Sequence, residues 1–269
     1  MDNIIQLLDV LKYGIMIVTL LGLSAALLSP FIVLNEQSLI ADGLSHVSFT
    51  ALAIGFFFID EPFYIAIPIV ILASIFIKWI SRVSKIGGDA ALGMVSSVGF
   101  SIGLIIIKFS STQINLESLI TGNLWLRKID DVYLSLAIFI VTLILIIVKY
   151  RDLLSLTYDE EYAKFKGVKV SVLSYLLAAL TGIFVVVGVR SIGVLLISSL
   201  LIFPVVTANL FAKSFKDLFL IGIPTTLGVV LVGIFGAHLI NIPAGSMIVL
   251  IYMLVYFILL IIKKVLKKE

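Results

Sequence analysis

Asp42 and His46 stand four residues apart in LIADGLSHVSFTALAIGFF, a stretch with no other ionisable side chain. An i, i+4 spacing puts both on one face of a helix, one above the other. Together they offer one hard oxygen and one borderline nitrogen, donors that suit a divalent cation. In apolar surroundings such groups are costly unless something satisfies them, so intramembrane ionisable residues are candidates for function. A plainer reading stands beside this one, in which the histidine hydrogen-bonds a neighbouring helix and the aspartate caps a helix start. Gly43, Ser45 and Ser48 flank the pair, and small residues let backbones or hydrated ions approach.

The elements that must position this pair are membrane helices. The chain of 269 residues is 61% hydrophobic and 13% charged, with a mean hydropathy of +1.25. A soluble domain carries about 25% charged residues. Uncharged runs cover 13–35, 43–59, 62–77, 90–107, 132–148, 170–189, 191–212 and 218–262. The last is long enough for two crossings of about 20 residues each, and it breaks at His238, Asn241 and Pro243. The expected fold is an all-α polytopic transmembrane bundle of about nine spans, eight if one region divides differently, with 1–269 forming a single domain. The chain has no cysteine, so disulfides and thiolate metal sites are excluded. The net charge of +3 comes from loop lysines and does not suggest nucleic-acid binding. MDNIIQLLDVLKYG lacks the basic start and small-residue cleavage site of a secretory signal, so the first span is expected to be retained.

Loop charges orient the bundle. Basic clusters recur on every second connection: Lys78, Arg82 and Lys85; Lys149, Arg151, Lys164, Lys166 and Lys169; Lys213 and Lys216; Lys263, Lys264, Lys267 and Lys268. The positive-inside rule places these in the cytoplasm. Nine spans then put the N-terminus outside and the C-terminus inside. The second helix climbs from 35–37 at the cytoplasmic face, which lifts His46 roughly 15 Å, near the bilayer centre.

Several polar stretches are not spans. In YDEEYAKFKGVKV, Asp159, Glu160 and Glu161 precede Lys164, Lys166 and Gly167. Acids in the first turn, bases in the last and a terminal glycine describe a short self-contained helix. Tyr162 and Phe165, with Ala163 between them, give it an apolar ridge. It reads either as a solvated connector or as a device for docking a soluble partner. QINLESLITGNLWLRKIDD suggests an interfacial or re-entrant helix, with Trp125 in an interfacial belt. Ser198, Ser199, Pro204, Thr207 and Asn209 interrupt the seventh apolar run, which therefore faces protein, lining a pathway or packing on a neighbour. His238 reads as a wet interfacial residue, with an accessory metal role as the other reading.

Taken in order, these motifs resemble the membrane-spanning subunits of bacterial ABC importers for manganese, zinc or iron. ADGLSHVSFTALAIGFF looks like that family's second-helix motif, and GGDAALGMVSSVGFSIG like its Asp-Ala-Ala-x-Gly signature. ESLITGNLW is similar to a further family segment, although Thr121 stands where an aromatic is common. DEEYAKFKGVKV looks like the cytoplasmic acidic-Ala-Gly segment, and VVVGVRSIGVLLISSLLIFPVVTANL like the long seventh-span motif. The resemblance implies a type II ABC importer-like permease in the bacterial plasma membrane, with Asp42 and His46 as the metal contacts. It also implies a cytoplasmic ATP-binding subunit docked on Asp159, Glu160, Glu161, Tyr162, Ala163, Phe165 and Gly167. An extracellular metal-binding protein and a second copy of the chain complete the expected assembly. Two copies on an axis supply two carboxylates and two imidazoles. No G-x-x-x-x-G-K-[ST] phosphate loop is present, so the chain is not expected to be an enzyme that splits ATP by that route. No cofactor is expected to be held permanently, and the metal is cargo.

Two other functional classes fit the residues less well. A secondary proton-coupled metal transporter would use Asp42 as its proton site, but no inverted repeat is evident and the docking-like helix argues against it. An intramembrane enzyme would need a second acidic motif or a nucleophile–base pair, and the spans offer one Asp/His pair. Asp and His suit manganese, zinc and iron alike.

Overall fold

A computed structural model describes residues 2–35, 37–59, 62–84, 87–109 and 128–266, with side chains from Lys12 onward. The expectations for 113–127, Lys85, Lys267 and Lys268 lie outside the described residues. In chain order the helices are α1 (Asp2–Val33), α2 (Ile40–Phe58), α3 (Phe63–Ser84), α4 (Gly88–Phe109) and α5 (Ile129–Tyr158). They continue as α6 (Glu160–Phe165), α7 (Val170–Ile192), α8 (Val194–Ala208), α9 (Phe215–Ile240) and α10 (Ala244–Leu266). Among the described residues there is no strand.

Eight of these helices, all but α6 and α8, are long and apolar enough to cross a membrane. The seventh apolar run was expected to be one span over 191–212. It is instead the 15-residue helix α8, set off from α7 by Gly193 at φ 90°. Only glycine adopts that conformation readily, and it lets Gly193 N–H donate back to the Gly188 and Val189 carbonyls. At 1.5 Å per residue α8 is about 22 Å long, short of a full crossing.

Even so, α8 changes the chain's end of the bundle. Leu200 approaches Gly22, and Val205 N–H donates to Ser29 Oγ at 3.3 Å, so α8 runs parallel to α1. Phe31 at the end of α1 packs on Phe215 at the start of α9 (5.2 Å), as does Tyr158 at the end of α5 (5.9 Å). The nine alternations therefore place the two ends of the described chain on opposite sides, as the loop charges require. The basic residues near the ends of α3, α5, α8 and α10 all fall on the side that holds α6, which makes that side cytoplasmic. The division at Asn241 is also as expected: it caps α9 in the left-handed conformation (φ 60°) and Pro243 follows.

The helices differ in how enclosed they are. α1, α2 and α7 have 72% of their spanning stretch buried, α10 only 17%, so α2 belongs to the interior and α10 to the periphery. α2 packs on α3, α4, α7 and α8. Its contact with α4 is close because α4 offers glycines: Val47 lies on Gly99 and Thr50 on Gly103, where Thr50 Oγ1 donates to the Gly99 carbonyl at 2.6 Å.

Candidate functional site

Asp42 occupies the first turn of α2 and His46 the second. The capping reading fails, because Leu39 takes the N-cap position and no side chain bonds there. Asp42 is exposed and His46 half-buried, while the rest of the helix from Ile40 to Ala53 is buried. A mostly buried helix thus turns its two ionisable groups outward.

Of the two roles expected for the flanking small residues, close helix approach is the one found. Ser45 and Ser48 are fully buried and donate to the Ala41 and Leu44 carbonyls at 2.6 and 2.7 Å. They let neighbouring helices approach and are not open to a hydrated ion. Gly43 is taken by Leu92, whose Cδ1 lies 2.5 Å from where a Cβ would stand.

His46 is held from the side. Its ring meets Phe100 of α4 at 5.0 Å between centroids, with planes 66° apart. Phe100 stands twelve residues into α4, about 18 Å from its start, whereas His46 is only about 9 Å up α2. The two helix starts are therefore offset, with the start of α2 level with a point part-way along α4. The sequence reading assigned no role to Phe100; its signal was its place in the GGDAALGMVSSVGFSIG signature.

Among the described residues no group of three or more His, Cys, Asp and Glu side chains converges. Asp42 and His46 are the carboxylate and imidazole that α2 presents, one turn apart on one side of the helix. His238 sits half-buried in the last turn of α9 at the extracellular end, far along the fold from the pair.

The cytoplasmic helix α6 is built as its sequence suggests. Asp159 Oδ1 accepts from Glu161 N–H and Tyr162 N–H, both at 2.9 Å, and Gly167 ends the turn at φ 84°. Ala163 is fully buried and seats the helix, while Phe165 is 91% exposed and Tyr162 is exposed too. Two aromatic side chains offered to water on one short helix are more than a connector needs. Glu160 pairs with Lys164 at 2.9 Å and with Arg82 of α3 at 3.7 Å. The Lys164 hydrogen bond, reinforced by the Arg82 charge, holds the Glu160 carboxyl below its ordinary range. Arg82 also donates to Ser171 and Ser174 of α7 at 3.0 and 3.3 Å, which ties α6 to two spans. This link was not anticipated.

The described fold is matched by known proteins. The model of the ABC 3 transport family matches residues 8–263. The manganese import system permease protein ScaB of Streptococcus gordonii is 31% identical over 92% of this chain and 89% of its own length. The manganese transport system membrane protein MntC of Listeria monocytogenes is 27% identical over 88% of this chain and 85% of its own. A solved structure of PsaBC from Streptococcus pneumoniae in complex with Fab superposes with a TM-score of 0.84 at 29% identity, covering 96% of this chain and 94% of that one.

Proposed function

The chain belongs to the ABC 3 transport family, and on that premise we propose that it is the membrane permease of an ATP-driven importer that moves a divalent transition metal, manganese foremost, into the cytoplasm. The observation that carries the reading is the outward-facing Asp42 and His46 on an otherwise buried helix. Manganese is favoured because similar permeases are named for it, and an Asp/His donor set accepts it.

Hydrolysis falls to a separate cytoplasmic ATP-binding subunit. The capped helix α6 supports this, with Phe165 and Tyr162 presented to solvent on a face anchored by Ala163 and bordered by Asp159, Glu160, Glu161 and Gly167. An extracellular metal-binding protein delivers the ion. A second copy of the chain supplies the remaining ligands, since two donors per chain leave a divalent ion under-coordinated and a two-fold axis doubles them.

The test is uptake of manganese by reconstituted vesicles containing the chain with its ATPase and delivering protein. ATP-dependent uptake insensitive to a proton gradient is expected. Uptake driven by a proton gradient without ATP would instead support a secondary transporter that uses Asp42 as its proton site.

A further inference from the structure

The junction between α5 and α7, on the side that holds α6, contains a cleft away from Asp42 and His46. α5 leaves helical geometry at Lys149 (φ −108°, ψ 15°), where its apolar run ends. α7 begins at Val170, and residues 166–169 join it to α6. Together they enclose about 450 Å³, lined by Lys149, Lys166 and Lys169 at the cytoplasmic end and by Val172 and Leu176 toward the bilayer.

We propose that this cleft binds an anionic phospholipid of the inner leaflet. Asp152 is the carboxylate in its lining, and Lys149 Nζ donates to it at 3.3 Å. Three lysines against one aspartate leave a surplus of two positive charges. The N-terminus of α7 adds to this, because Lys169 provides no side-chain cap and the first turn holds no acid. An uncapped helix start favours an anion.

The apolar side of the cleft selects a lipid over free phosphate. Val172 and Leu176 are exposed on α7, and Ile147 and Val148 are exposed on α5 within a turn of Lys149. Val172, Leu173 and Leu176 line the cleft itself, so the cationic mouth runs on into the apolar edge of α7, with the exposed apolar residues of α5 nearby in sequence to Lys149. A phospholipid matches both halves, headgroup against the lysines and acyl chains along the edges, whereas free phosphate matches only one. Gly167 and Val168, which end the α6 turn, form part of the wall, so a seated headgroup braces the connector of α6. The inference rests on the fold and its orientation, and stands whatever the chain transports.

The test uses the full chain in nanodiscs of phosphatidylcholine with or without phosphatidylglycerol, with native mass spectrometry counting retained phosphatidylglycerol. Each lysine at a membrane surface is worth about a five-fold change in affinity. Lys169→Gln is expected to weaken retention about five-fold, and Lys149→Gln/Lys166→Gln/Lys169→Gln on the order of a hundred-fold. Lys263→Gln/Lys264→Gln, on the same face but outside the cleft, is expected to change nothing. Unchanged retention in the cleft variants would overturn the proposal. Equal losses in both sets would also overturn it by reducing the effect to general surface charge. Full displacement by glycerol phosphate would show an anion site with no role for acyl chains. If the triple variant does not fold, Lys169→Gln against the α10 control decides.

Discussion

His46 meets Phe100 edge-on, with ring centroids 5.0 Å apart and planes at 66°. Phe100 also packs on Phe49 at 5.3 Å, so α2 holds it at two points one turn apart. Such an aromatic contact is worth about 0.5–1.5 kcal/mol beyond area burial and restricts how the imidazole turns. Phe100→Ala is expected to slow metal uptake several-fold while the protein still inserts and unfolds at nearly the same temperature. Uptake rates beside a thermal melt check this, and unchanged uptake would reduce Phe100 to filler.

Close approach of α2 and α4 depends on glycine at two positions. A Cβ on Gly103 would strike Thr50 Oγ1, whereas one on Gly93 would meet open space. Gly103→Ala is expected to destabilise the bundle by about 1–3 kcal/mol, as overpacking does. Gly93→Ala is expected to leave stability unchanged or slightly raised, since alanine favours a helix. Thermal unfolding in detergent separates the two.

Docking on α6 depends on its exposed ridge. Phe165→Ala is expected to weaken retention of the ATPase in pull-down at unchanged yield of the permease, because Phe165 contributes almost nothing to the chain's own packing. Ala163→Pro, by contrast, unseats the helix and is expected to lower both.

The carboxyl of Glu160 gives a pH signature. Its value in the folded chain lies below the ordinary 4.5, first through the Lys164 hydrogen bond. A depressed carboxyl contributes stability above its unfolded value and loses it as pH falls through the folded value. The α6 pairing is therefore expected to be intact from neutral pH down to 4.5 and to open only below it. Carboxyl NMR titration reads this directly, and Lys164→Gln is expected to move the midpoint up. The contribution is small, because Glu160 is 46% exposed and water screens it.

Much of this was legible in the sequence for physical reasons. Apolar runs and basic clusters report the solvent each segment faces, so the spans, the turn at Asn241 and the sidedness follow from them. Asp159, Ala163 and Gly167 carry local signals of a capped helix, and the helix is there. The break at Gly193 was not legible, because a lone glycine between apolar runs does not reveal a positive φ. Nor was the direction of Ser45 and Ser48: helical spacing shows which residues share a face, but not which neighbour that face meets. The Arg82 link to Glu160, Ser171 and Ser174 joins positions about 80 to 90 apart in sequence, and only packing brings them together.

The proposed sharing of the site between two copies makes a geometric demand. With no cysteine in the chain, His46→Cys introduces a single thiol. A short bifunctional reagent is expected to join two copies through it, as an axial pair requires. If only reagents of long span succeed, each chain handles the ion without its partner's ligands.

The central claim is that Asp42 and His46 handle the ion in passage, and the most direct measurement is manganese uptake by vesicles holding the assembled transporter with His46→Ala or Asp42→Asn. Both groups face outward from α2, so neither substitution disturbs the core, and assembly and basal ATP hydrolysis are expected to persist. Uptake is expected to fall to background in each. Wild-type uptake by either variant would contradict the account.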